Sequence, residues 1–113
     1  MRVVIAGGGS VGKFIAEQLL AGNHDVLIVD NDASVVKRAQ AAGEPAGVPW
    51  LLADACEVSK LAEAGLENAD VVAAVTGDDE DNLVISLLAK QEFGVPRIVA
   101  RVNNPKNEWM FNE

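Results

Sequence analysis

A chain of 113 residues, 50% hydrophobic and 23% charged, is long enough for one hydrophobic core, too short for a second, and far from the composition of disorder. Its formal net charge of −8, nine Lys and Arg against seventeen Asp and Glu, repels phosphate polymers and anionic surfaces and argues against nucleic acid as a partner. No apolar run reaches the roughly 20 residues that cross a bilayer, so no direct membrane insertion is expected and the chain reads as cytoplasmic; one cysteine, Cys56, and one histidine, His24, exclude an internal disulfide and a Cys/His zinc site.

Arg2 to Ala6, RVVIA, has no polar alternation, the pattern of a strand buried on both faces. Gly7, Gly8 and Gly9 follow directly. Val11, Ile15 and Leu19 then recur at i, i+4 and i+8, marking one face of a helix that starts at Ser10 and ends at Gly22-Asn23. Asp25 to Asp30, DVLIVD, is a second strand. Asp32 caps a helix with apolar positions Val35, Val36, Ala39 and Ala42 and with Gly43 as its stop. After the loop GEPAGVP, VPWLLAD (Val48 to Asp54) is the third strand, EVSKLAEAG a short helix, and ADVVAAVTG (Ala69 to Gly77) the fourth strand. The acidic DDEDN opens a long helix reaching Gly94, PRIVARV (Pro96 to Val102) is the fifth strand, and Asn104 with Pro105 begins a further helix. Strands alternating with helices in this way predict an α/β chain: a Rossmann-like, doubly wound parallel sheet of order 3-2-1-4-5, as a single domain over 1–113.

Ligands on such sheets bind at the carboxyl ends of the strands, and several residues fall there. Gly7-Gly8-Gly9-Ser10-Val11-Gly12 satisfies G-x-G-x-x-G between a strand and a helix. In this reading Gly7 permits a tight turn, Gly9 lets the backbone approach a diphosphate, and Gly12 lets the helix lie close to the strand. Asp30 stands eighteen residues past Gly12 at the end of the second strand, where a carboxylate accepts the ribose hydroxyls of NAD(H), ATP, ADP or AMP and repels the 2′-phosphate of NADP(H). The first bases after it, Lys37 and Arg38, fall on the solvent side of their helix. Asp54 and Thr76-Gly77 end the third and fourth strands; Asp54 either faces the base or caps the helix after it. Arg101, at the end of an apolar strand, calls for an anion, either a nucleotide phosphate or a carboxylate such as Asp78. The DDEDN run is better suited to complementing and capping a helix N-terminus than to holding a cation.

GGGSVG, Asp30, ADAC, ADVVAAVTGDDEDN and RIVARVNNP together resemble, in order and spacing, the TrkA-N domain family, also known as the N-lobes of regulators of potassium conductance (RCK). The resemblance covers essentially the whole chain. It implies a cytosolic regulatory subunit or domain that binds NAD(H) or an adenine nucleotide and gates a membrane-embedded potassium transporter or channel subunit, peripheral to the inner face of the membrane. It also implies nucleotide contacts at Gly7 to Val11, Asp30, Asp54, Ala55, Thr76, Gly77 and Arg101. Ser10 departs from it, standing where several relatives carry arginine, and the family's C-terminal RCK lobe has no counterpart in 1–113, which ends inside its last helix.

The alternative is a nicotinamide-dependent oxidoreductase domain. It lacks candidates for proton transfer: there is no tyrosine, and His24 falls at the opposite end of the sheet. A regulatory module and not an enzyme is therefore expected. Leu83, Val84, Ile85, Leu87 and Leu88 place apolar residues on more than one face of the long helix, and Trp109, Met110 and Phe111 add more, so a homodimer or larger ring is expected.

Overall fold

The computed structural model describes residues 1–111. Its elements are β1 (Arg2–Ala6), α1 (Ser10–Ala21), β2 (Asp25–Asp30), α2 (Ala33–Ala42), β3 (Trp50–Leu52), α3 (Val58–Glu63), β4 (Val71–Ala74), α4 (Asp79–Gln91) and β5 (Arg97–Ala100), with 3-10 turns at Leu66–Asn68 and Pro105–Phe111. The strands form one parallel sheet of order β3-β2-β1-β4-β5, the order expected from the sequence.

β1 sits in the middle, with Val3 level with Val26 on one side and Val71 on the other. Side chains alternate across the sheet. Val3 and Ile5 therefore join Val26, Ile28, Ala73 and Ala16 of α1 in one core, while Val4 and Ala6 join Val29, Val72, Leu61 and Ile85 in the other. Both faces of β1 are covered, which is why it shows no polar alternation.

The helix ends follow their capping chemistry. Asp32 accepts from the amides of Ser34 (2.9 Å) and Val35 (3.4 Å), and Gly43 closes α2 in the left-handed region at φ 64°. Asp78 caps α4 by accepting from the Asp81 amide at 3.0 Å.

Several expected boundaries move, and β5 keeps only Arg97–Ala100 of the expected Pro96 to Val102. β3 begins at Trp50, not Val48, because Pro49 has no N–H for the ladder, though its carbonyl still accepts from Ile28 at 3.1 Å. β4 is four residues long, but the Asp70 and Val75 amides extend its pairing onto Arg2 and Ala6 of β1. The last helix is a 3-10 turn, Pro105–Phe111, with Asn104 Oδ1 accepting from the Lys106 amide at 3.0 Å; Asn112 and Glu113 lie outside the described residues. No described helix is long and apolar enough to cross a membrane.

Candidate functional site

The glycine loop leaves β1 at the carboxyl edge, and its glycines answer to different neighbours. Gly7 adopts φ 119°, a conformation reserved for glycine, and an added Cβ would lie 2.9 Å from the backbone of Val75 and Thr76. A Cβ on Gly12 would overlap the Gly7 carbonyl oxygen, so this glycine sets how closely α1 lies on the loop. A Cβ on Gly8 would enter the Trp50 ring, which packs beneath the loop. Gly9 is different: its φ is −75°, open to any residue, and nothing lies within 4 Å of its missing Cβ. Gly77 also faces open space.

These two glycines border a cleft of about 460 Å³. Around it the structure brings together Gly7, Gly8, Gly9, Ser10, Val11, Asp30, Asp54, Ala55, Thr76, Gly77 and Arg101; of the twelve residues singled out from the sequence, only Gly12 does not line it. Cys56, Asp32 and Asp81 also line it.

Asp30 ends β2 with its carboxylate turned back to the loop. Oδ2 accepts from the Gly8 amide at 2.8 Å and Oδ1 from the Asp32 amide at 2.9 Å. Each oxygen keeps further acceptor capacity, so the group can fix the loop and still receive two hydroxyls. Asp54 does not cap α3. Its Oδ1 accepts from the Cys56 amide at 2.9 Å in a local turn, and α3 begins beyond it at Glu57 without a side-chain cap. The Cys56 thiol is pushed up to about 11 by burial first and then by Asp81 and Asp54, so it is no ready nucleophile.

The far wall depends on a residue the sequence reading passed over. Asn82 is fully buried. Its Oδ1 accepts from the Thr76 amide (2.9 Å) and hydroxyl (2.7 Å), and its Nδ2 donates to the carbonyls of Thr76 (3.1 Å) and Arg101 (3.0 Å). One amide thus joins the ends of β4 and β5. Asp79, the second acid of the run, is also buried and accepts from the Asn103 (2.6 Å) and Asn104 (2.9 Å) amides and from the Asn107 side chain (2.9 Å). The Asn103 amide first, then Asn107, hold its carboxyl well below the usual range. Asp78 caps α4 instead of meeting Arg101: among the described residues the Arg101 guanidinium has no carboxylate within ion-pair distance.

Comparisons with known proteins point to one family. Residues 3–113 match the model of the TrkA-N domain. The chain is 48% identical over its whole length to the Trk system potassium uptake protein TrkA of Mycobacterium tuberculosis, and 39% identical to a TrkA homolog of Methanothermobacter thermautotrophicus, covering 50% of each. It therefore spans about half the length of these curated relatives. Among solved structures, the Kef CTD of Shewanella denitrificans in its AMP-bound form superposes with a TM-score of 0.83 at 22% identity, over 98% of this chain and 65% of that one.

Proposed function

The chain belongs to the TrkA-N domain family, and from that premise we propose that residues 1–113 are the nucleotide-binding lobe of a cytosolic regulatory protein of a potassium uptake system. The relatives carry the potassium assignment in their name; the cleft carries the nucleotide assignment. The observation with most weight is Gly9. Neither its backbone angle nor its protein neighbours require glycine there, and a diphosphate lying against the loop does.

In this reading the amides at the start of α1 donate to phosphate, Asp30 accepts from the adenosine ribose, Asp54 and Ala55 flank the base, and Thr76, Gly77 and Arg101 complete the opposite wall. NAD(H), ATP, ADP and AMP fit this set, and a 2′-phosphate meets Asp30. Regulation is by linkage: nucleotide binds one arrangement of the lobes better than another and biases an attached pore, a coupling of typically 1–3 kcal/mol. Self-association to a dimer or ring would make those arrangements possible. The oxidoreductase alternative has no His, Tyr or Lys on the cleft among the described residues.

Thermal melting with NAD⁺, NADH, NADP⁺, AMP, ADP and ATP tests the reading. A bound ligand at 100 times its dissociation constant stabilises by about 2.7 kcal/mol. Stabilisation by at least one unphosphorylated-ribose nucleotide is expected, and no response to any of the six would sink it. Steady NADH oxidation that vanishes in Asp30→Ala would favour the enzyme instead.

A further inference from the structure

We propose that Asn103 is a positioning residue for the nucleotide cleft, bridging Thr76 to the segment that leaves β5, so that nucleotide binding and the order of residues 103–107 rise and fall together. The proposal rests on the nucleotide-binding reading above and adds what occupancy changes outside the cleft.

Apolar packing does little to anchor this segment, since no residue of the turn Pro105–Phe111 is buried. Hydrogen bonds anchor it instead. Asp79 Oδ1 accepts from the Asn103 amide (2.6 Å) and from Asn103 Nδ2 (3.0 Å), while Oδ2 accepts from the Asn104 amide (2.9 Å) and from Asn107 Nδ2 (2.9 Å). Two bonds on each oxygen fill the acceptor sites of the carboxylate. Asn103 Nδ2 also donates to the Thr76 carbonyl at 3.1 Å. Among the described residues these are the hydrogen bonds that tie 103–107 to the rest of the lobe, and only the one to Thr76 reaches a residue of the cleft.

Thr76 is bonded on every polar atom. Its amide and hydroxyl donate to Asn82 Oδ1, and its carbonyl takes Asn82 Nδ2 on one lone pair and Asn103 Nδ2 on the other. Arg101, two residues before Asn103, accepts from the same Asn82 through its carbonyl. A nucleotide that restrains Thr76 and Arg101 therefore restrains both the acceptor and the stretch of chain on which the Asn103 bridge depends. With few buried contacts, the free segment opens at low cost. Nucleotide binds the bridged form better than the open one and shifts the population toward it; by linkage, loss of the bridge weakens nucleotide binding in return.

Amide hydrogen exchange of the purified protein, alone and saturated with AMP or NAD⁺, tests this without any substitution. The amides of Asn103 and Asn104, which donate to Asp79, should exchange several-fold more slowly with nucleotide bound, along with those of the glycine loop Gly7 to Val11. In Asn103→Ala the slowing at Asn104 should be lost while that of the glycine loop persists, and calorimetry should show affinity lower by at least about fivefold. Asn107→Ala removes a bond to Asp79 but keeps the bridge to Thr76, so the slowing should survive in it. Protection of the glycine loop with no change at Asn103 and Asn104 in the unmodified protein overturns the proposal while leaving nucleotide binding intact, and this measurement decides even where Asn103→Ala fails to fold. Undiminished affinity in folded Asn103→Ala, or equal loss of the slowing in Asn107→Ala, also overturns the bridging role. No protection anywhere by either nucleotide removes the nucleotide reading itself, and this proposal with it.

Discussion

Gly9 and Gly12 are the same residue for opposite reasons. Gly12 is required by the protein, because a methyl there would meet the Gly7 carbonyl; Gly9 faces open space. Gly12→Ala should cost about 2–3 kcal/mol as the helix is forced off the loop, whereas Gly9→Ala should change stability by less than about 1 kcal/mol and weaken nucleotide binding at least about tenfold. Urea unfolding and calorimetry on the two variants separate the cases, and equal loss of stability in both would show that Gly9 is a packing residue. Asp30 has a double role, since it braces Gly8 as well as facing the cleft. Asp30→Ala should therefore weaken both NAD⁺ and NADP⁺ through the loosened loop, yet narrow the NAD⁺ advantage, because only NADP⁺ also gains from removing a charge opposite its 2′-phosphate. Calorimetry with both dinucleotides reads the ratio; an unchanged ratio would displace the adenosine ribose from this residue.

Within the elements, α4 shows most clearly what could and could not be read in advance. Its acidic start marks a helix N-terminus, and Asp78 does cap it. Which acid turns inward is decided by helical phase: Asp79, Asn82, Ile85 and Ala89 share the buried face. Asn82 at a position whose i+3 and i+7 neighbours are apolar was a legible sign of a buried amide, but its partners, Thr76 and Arg101, lie on strands that only the folded sheet brings beside it. The elements and the glycine loop were legible because period and turn chemistry are local. Strand ends and the Asp79 cluster were not, because they depend on contacts between distant segments. The depressed carboxyl of Asp79 has a testable sign. A group whose pKa falls on folding contributes stability that is complete above its unfolded value of about 4 and is lost as pH falls through the folded value. Asp79→Asn should melt well below the unmodified protein at pH 7, and the difference should shrink steadily between pH 4 and pH 2. Melting curves that stay parallel over that range would mean that the charge of Asp79 does not matter.

For the molecule as a whole, the outward side of α4 keeps apolar side chains exposed. Ile85 is buried against the sheet, but Val84 and Leu87 remain 39% and 41% exposed, and Trp109 on the final turn is 73% exposed. Only part of the apolar excess expected on this helix is absorbed by its own fold. Light scattering at tens of micromolar should report a dimer or larger species, and charge at Val84 and Leu87, as Glu, should shift it toward monomer without lowering the melting temperature by more than about 2 °C. A folded monomer at that concentration would rule out this face as a self-contact. The central place of β1 also governs how the chain is made. β2 and β3 can pair beside it as soon as Leu52 has left the ribosome, but its other edge has no partner until Val71 to Ala74 arrive, after α3 and the turn at Leu66–Asn68 have been synthesised. At about 5–20 residues per second that delay lasts seconds, during which Val3 to Ala6 present an apolar, unpaired strand edge able to pair with other chains. The strand best protected in the finished protein is the one left half-paired while the protein is being synthesised.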